Sequence, residues 1–381
     1  MRILVINWRC MKNPLAGGAE IYLQEIFRRI VARGHEVTQL AERFAGSLPD
    51  EYLDGIRVQR LGGGHTFNFA VWRALPAIVA NGAYDIVIDD LNKIPFYSPW
   101  RTSKPVLAIL MHLFRGSIFR EAIPPLAAYV WLAETAIPLA YRNCPFAVLS
   151  ESSKKDTVKV GIPAEHIAVI PPGTDFSRFA PARDMTELPG NSDRVPSPPV
   201  ILHVGRLKKY KAVDHLLRAA RLLLDRGRKL RVVIVGGGDD RPRLEAVAAK
   251  LNLGDAAQFT GFIYEEEKVA WYRRAAVLVE NSVKEGWGLI VMEANGCGTP
   301  VVVADSPGLR DSSRDGVNGL VYPYGDIPAL AEKLEKLLSD EPLRAKLGRQ
   351  AVDWARQWTW DKASDDMLAC IEQTISRGRG A

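Results

Sequence analysis

Residues 2–40 read RILVINWRCMKNPLAGGAEIYLQEIFRRIVARGHEVTQL. The apolar run Ile3-Leu4-Val5-Ile6 is a buried-strand pattern. After the turn residues Pro14 to Gly18, Leu23, Ile26, Phe27, Ile30 and Val31 recur at helical spacing. Gly34 stops that helix before a second strand over 36–40. Strand, helix and strand in succession make a βαβ unit, with parallel strands and a right-handed crossover.

Working outward, the alternation continues. Strands are predicted at 56–60, 86–88, 106–110 and 146–149, with helices at 71–79 and 125–141, which together imply a doubly wound open sheet. Residues 179–199 then break the pattern: Pro181, Pro189, Pro196, Pro198 and Pro199 fall in a polar stretch without periodicity, the clearest linker in the chain. Beyond it the alternation restarts, with strands at 200–204, 230–235, 258–260, 277–280 and 300–304 and helices at 213–224, 241–251, 265–273 and 289–295. The expected organisation is therefore α/β, with two doubly wound Rossmann-like domains facing a central cleft at the carboxyl ends of their sheets. The domains are expected at 1–180 and 200–355, joined by a linker at 181–199, with a final segment, 356–381.

A chain of 381 residues is long enough for two cores, and 47% apolar with 25% charged residues is a globular composition. Cys10, Cys144, Cys297 and Cys370 show no metal-ligand or disulfide spacing, which fits a reducing, cytoplasmic setting. The N-terminus runs straight into a strand pattern rather than a secretory signal. The apolar stretch 122–133 is far shorter than the ~20 residues a spanning helix needs. A net charge of +6 without a dense basic stripe argues against a nucleic-acid partner. One local bias stands out. Between Asp90 and Glu121 there is no acid, while Lys93, Arg101, Lys104, Arg115 and Arg120 alternate with Phe96, Tyr97, Trp100, Phe114 and Phe119. Such a stretch is either a solvated face over a core strand or a surface that meets anionic lipid or a polyprenyl phosphate.

The most specific motif is Glu285-Gly286-Trp287-Gly288-Leu289 followed by Glu293. The glycines let a ligand lie against bare amides at a helix N-terminus. Glu293, one turn into that helix, is within reach of the same ligand. A lone glutamate there would merely serve the helix dipole; that reading leaves the glycines and the second acid unexplained. Gly205-Arg206-Leu207 with Lys211 follows a strand, where two cations can bracket a pyrophosphate. Gly17-Gly18 opens the first helix of the N-terminal domain with amides suited to an anion, though a plain tight turn has the same sequence. His112 lies just past the strand at 106–110. Gly236-Gly237-Gly238 suggests a dinucleotide fingerprint, but Arg241 breaks GxGxxG. Asp89-Asp90 alone is weak evidence for a metal, and none is expected.

Glu285-Gly-x-Gly-Leu-x-x-x-Glu293, followed by Gly298-Thr299-Pro300-Val301-Val302, resembles the signature of the family 4 retaining glycosyltransferases, which have the GT-B fold. The likeness runs along essentially the whole chain. It implies that Glu285 contacts the donor sugar and Glu293 the ribose hydroxyls, and that Gly205, Arg206 and Lys211 hold the diphosphate. It further implies that Gly236 and Gly238 line the base side, and that Gly17 and Gly18 lie beside the donor phosphates. His112 matches the histidine that approaches the donor sugar and steadies the oxocarbenium-like transition state. Two departures accompany the match: Ala212 stands where a glycine usually follows the lysine, and Ser306-Pro307-Gly308-Leu309-Arg310-Asp311 replaces a Gly-Gly-Leu-x-Glu segment. The resemblance also implies that 356–381, with Trp354, Trp358 and Trp360 near a break at Thr359, crosses back to the first domain; a plain helix packed on its own domain is the alternative.

The expectation is a retaining hexosyltransferase-like enzyme. It would use a UDP- or GDP-linked nucleotide sugar, no separate cofactor and a glycan or lipid-linked acceptor, at or near a membrane surface. A GT-B nucleotide-sugar epimerase, a phosphorylase and a non-catalytic sugar-nucleotide-binding protein are the alternatives.

Overall fold

The computed structural model describes residues 1–379 except 65, 93, 114, 121–122 and 183–197. Lys93 and Phe114 of the basic aromatic stretch, its bounding Glu121, and Pro189 and Pro196 of the linker lie outside the described residues. The chain forms two compact units, Met1–Gly173 with Trp360–Ala381, and Thr174–Thr359.

The first unit runs β1 (Arg2–Ile6), α1 (Gly18–Ala32), β2 (Glu36–Arg43), β3 (Asp50–Leu53), β4 (Ile56–Gly63), α2 (Phe67–Gly82), β5 (Ile86–Asp90) and β6 (Val106–Leu110). It continues with α3 (Pro124–Thr135), α4 (Ile137–Tyr141), β7 (Phe146–Val148), α5 (Glu151–Lys159) and β8 (Ile167–Val169). The strand order is β3-β4-β2-β1-β5-β6-β7-β8. Every pairing is parallel except β3 with β4, an antiparallel edge hairpin. Ile3 stands between Val37 of β2 and Ile86 of β5. Leu4 and Ile6 pack with Phe67, Val71 and Leu75 of α2, while Ile3 and Val5 on the opposite face are buried as well. A sheet covered on both faces explains why its strands read as unbroken apolar runs.

The helix expected at 125–141 is two helices divided at Ala136. Pro138 sits in the first turn of α4, where its ring and missing N–H cannot continue the preceding helix.

The second unit runs β9 (Val200–Val204), α6 (Val213–Asp225), β10 (Arg231–Val235), α7 (Arg241–Lys250), β11 (Ala257–Gly261), α8 (Glu265–Arg274) and β12 (Val277–Glu280). Then follow α9 (Leu289–Gly296), β13 (Val301–Ala304), α10 (Leu309–Ser312), β14 (Gly319–Tyr322), α11 (Ile327–Ser339) and α12 (Glu341–Arg356). The sheet order is β11-β10-β9-β12-β13-β14, all parallel. Phe179 is buried in this unit's core.

The last helix, α13 (Trp360–Arg379), returns to the first unit and packs on α1. Arg29 pairs with Asp361 at 2.8 Å and Arg33 with Asp365 at 2.5 Å. Tyr22 packs its ring 6.2 Å from that of Trp360. Among the described residues no helix is long and apolar enough to cross a membrane.

Candidate functional site

In the second sheet β10 and β11 lie to one side of β9, and β12 to β14 lie to the other. The strand order therefore reverses between β9 and β12. Loops leaving those two carboxyl ends part from one another, and open α/β sheets bind ligands there. The two loops carry Gly205-Arg206-Leu207 with Lys211, and Asn281 to Gly288.

Lys211 is the centre of the arrangement. It closes a 3₁₀ turn, Lys209–Lys211, and is buried. Its Nζ donates to Glu285 Oε1 at 2.6 Å and stands 3.6 Å from Glu280 Oε2. Burial alone would favour the neutral amine; the charges of Glu280 and Glu285 outweigh it and hold the pKa above that of an ordinary lysine. The site thus contains a fixed cation with two carboxylates around it.

Glu280 is a residue that sequence reasoning missed. It is completely buried at the end of β12 and accepts a 2.5 Å hydrogen bond from the Ser282 hydroxyl through Oε1. Burial raises its pKa to about 7, against the pull of Lys211. The available signal was an acid closing an otherwise apolar strand, Val277-Leu278-Val279-Glu280. His203 on β9 was missed too. Its Nδ1 lies 3.2 Å from the Val279 carbonyl, which can only accept, so Nδ1 carries the hydrogen and Nε2 the lone pair. Burial, reinforced by Lys211, lowers its pKa to about 4 and keeps the ring neutral.

Arg206 is exposed and makes no hydrogen bond or ion pair among the described residues. The glycines beside it serve loop packing. A Cβ on Gly236 would lie 2.0 Å from the Gly205 carbonyl oxygen, and one on Gly238 would lie 2.1 Å from that of Leu207. The loop after β10 therefore seats directly against the loop after β9, with Leu207 N donating to Gly237 O at 2.9 Å.

The Glu285 loop has its own support. Glu285 N donates to Pro307 O at 2.9 Å, and Ser306 Oγ to Ser282 O at 2.7 Å. Gly308, at φ 83°, would place a Cβ 2.2 Å from the Glu285 carbonyl oxygen. The segment from Ser306 to Asp311, whose role the sequence left open, is the backing of this loop. Gly286 and Trp287 are buried, and the Trp287 ring meets Trp358 edge-on at 4.9 Å. Gly288, at φ 105°, caps α9, and the half-buried Leu289 begins it. Glu293 accepts from Tyr272 Oη at 2.7 Å and pairs with Lys268 Nζ at 3.1 Å, both on α8. Lys211 and Glu285 are thus in contact, while Glu293 is anchored separately.

The remaining expected residues lie on the first domain. Gly17 precedes α1, and its N–H is already engaged by the Glu20 carboxylate at 2.7 Å, so this amide is not available to a ligand while Glu20 holds it. Gly18 is the first residue of α1. His112 is half-buried, two residues beyond β6. Asp89 is structural, accepting from Ser98 Oγ at 2.6 Å and Tyr141 Oη at 2.5 Å. Among the described residues no group of three or more His, Cys, Asp or Glu side chains could hold a metal.

Residues 184–354 match the family described as Glycosyl transferases group 1, and residues 16–178 match Glycosyltransferase Family 4. The D-inositol 3-phosphate glycosyltransferase of Streptomyces bingchenggensis is 30% identical over 92% of this chain and 83% of its own length. Sucrose-phosphate synthase from Thermosynechococcus elongatus superposes with a TM-score of 0.80 at 22% identity, covering 99% of both chains. Anabaena HepE, solved in complex with UDP-glucose, gives 0.72 at 18% identity, covering 99% of this chain and 100% of that one. The two Rossmann-like domains with parallel sheets are the GT-B fold. The chain belongs to glycosyltransferase family 4 and is a glycosyltransferase that takes its sugar from a nucleotide-sugar donor.

Proposed function

We propose that this enzyme retains the anomeric configuration of its donor sugar, by a front-face reaction in which the leaving diphosphate and the incoming acceptor share one side of the ring. The observation that carries this reading is the pairing of buried Lys211 with half-buried Glu285 at the switch point of the second sheet, with exposed Arg206 on the same loop as Lys211. Arg206 and Lys211 neutralise charge as it builds on the diphosphate, which is where preorganised cations lower a barrier. Glu285 positions the sugar hydroxyls, and Glu293, held by Tyr272 and Lys268, takes the ribose. By the family resemblance, Gly18 is the first domain's candidate for the donor phosphates and His112 its candidate for the donor sugar. A double-displacement route would need a carboxylate nucleophile on the opposite face of the sugar, and no residue pattern in the chain points to one.

The UDP-glucose complex of a structural relative favours a uracil donor, with GDP- and ADP-sugars as the comparison. A thermal-shift screen across the three classes tests this, since a ligand at 100 times its Kd stabilises by ~2.7 kcal/mol. A protein that none of them shifts contradicts the donor reading.

The acceptor is a lipid-linked glycan or a related amphiphile met at a membrane surface. Leu126, Tyr129, Trp131 and Leu132 of α3 are exposed, as are Phe119, Ile123 and Leu139 near it. Arg101, from the acid-free stretch, stacks 4.8 Å over the exposed Trp72 ring. Apolar side chains interspersed with cations suit an anionic bilayer surface. Co-sedimentation with anionic liposomes should fall on charge reversal of Arg101, Lys104 and Arg115; unchanged sedimentation contradicts the membrane contact. D-inositol 3-phosphate, named for a sequence relative, belongs in the acceptor panel as the soluble alternative.

A further inference from the structure

Glu280 is a carboxylate closing an otherwise apolar strand. It is completely buried, and Oε2 accepts no hydrogen bond. Ser282 engages Oε1, which leaves Oε2 facing the Lys211 ammonium at 3.6 Å, just outside hydrogen-bond range. Lys211 meanwhile is bound at 2.6 Å to Glu285. An ammonium has three hydrogens to give, and the one toward Glu280 is not closely engaged.

We propose that Glu280 is a positioning residue: a second, buried counter-ion that takes over Lys211 when Glu285 turns to the donor sugar. This rests on the reading of Lys211 and Glu285 as donor-binding groups. Glu285 cannot serve the sugar hydroxyls and anchor Lys211 fully at once. Without another anion behind it, the ammonium would have to stay with Glu285 or leave its place beside the diphosphate. A shift of less than one ångström toward Oε2 brings Lys211 within direct hydrogen-bond range of Glu280. No bond is made or broken in this hand-over, and no proton leaves the lysine.

The test compares the affinity of wild type, E280Q and E280D for UDP-glucose and for UDP at pH 8, by calorimetry. The GDP or ADP pair replaces these if that pair is the one that stabilises the wild type. Gln keeps the volume and loses the charge, so E280Q should weaken the sugar nucleotide at least tenfold more than the diphosphate. E280D should recover most of that selective loss. An E280Q that weakens both ligands equally or neither, or an E280D no better than E280Q, overturns the proposal.

Wild type provides a check that involves no variant. Among the described residues, the groups facing the ammonium are Glu280 at the end of β12, Glu285 in the loop after it, His203 on β9 and Tyr210 of the 3₁₀ turn. Burial holds His203 at about 4 and Tyr210 at about 12, and it brings Glu280 to about 7. Affinity for UDP-glucose should therefore fall as pH drops from 8 to 6, and unchanged affinity also overturns the proposal. A wild type that binds no nucleotide sugar removes the donor reading itself; one that binds but fails these tests removes only the hand-over.

Discussion

Two buried residues beside Lys211, His203 and Glu280, oppose each other in their dependence on pH. The folded pKa of His203 is lowered to about 4, so unfolding takes up a proton between pH 4 and 6.5 and the histidine's contribution to stability rises with pH across that window. The size of the shift makes this on the order of 3 kcal/mol. The folded pKa of Glu280 is raised to about 7, so the folded form holds its proton longer and stability falls as pH climbs from about 4.5 to 7. Their contributions largely cancel in the wild type. Denaturant titrations should show His203→Asn losing stability relative to wild type as pH rises from 4 to 6.5. Glu280→Gln should gain relative to wild type as pH rises from 4.5 to 7. Parallel pH curves for all three proteins contradict both assignments. A second residue-scale prediction concerns Ala212, which occupies the left-handed region at φ 46°, where glycine is the unstrained residue. Ala212→Gly should stabilise by about 0.5–1 kcal/mol, read as a higher denaturation midpoint. Both effects explain what the sequence could and could not show. Ala212 was visible as a departure from the motif, whereas Glu280 and His203 become part of the site only once β9 and β12 lie side by side.

At the scale of elements, legibility followed burial. The central strands of both sheets are apolar on both faces and announced themselves; β6 and β9 fall at their expected residues. Two of the unexpected elements have little apolar pattern to offer, whereas β14 and α11 carry one and were not expected either. β3 is the edge strand Asp50–Leu53, and only the Asp54-Gly55 turn, with both residues at positive φ, marked it as a hairpin. α5 is polar, burying only Ser153 and Thr157, so no hydrophobic period betrays it. The segment around α10 was legible as a variant motif, yet its work is steric. It stands behind the loop that presents Glu285. Gly308→Ala should destabilise by about 1–3 kcal/mol, because the methyl group meets a backbone oxygen and φ is positive. The loop it displaces carries Glu285, so nucleotide-sugar affinity should fall with stability. A variant as stable as wild type with unaltered affinity would show that the loop is not held by this contact.

On the scale of the whole chain, the two passages between units lie side by side. Thr174 pairs with Thr359, its N–H donating to Trp358 O at 2.9 Å. Everything after that bridge belongs to the first domain. Trp360, Ala363, Met367, Ile371 and Ile375 are buried. At about 1.5–3 kcal/mol for each large apolar side chain buried, removing them exceeds what a domain stable by ~5–15 kcal/mol readily survives. A chain ending at Thr359 should therefore be cleaved by protease throughout 1–173 while 174–359 resists; equal resistance of both parts contradicts this. The same arrangement sets a timetable for the newborn protein. Since α1 precedes the whole second domain in the chain and its partner α13 follows it, the first domain cannot complete its packing until the second domain has been synthesised.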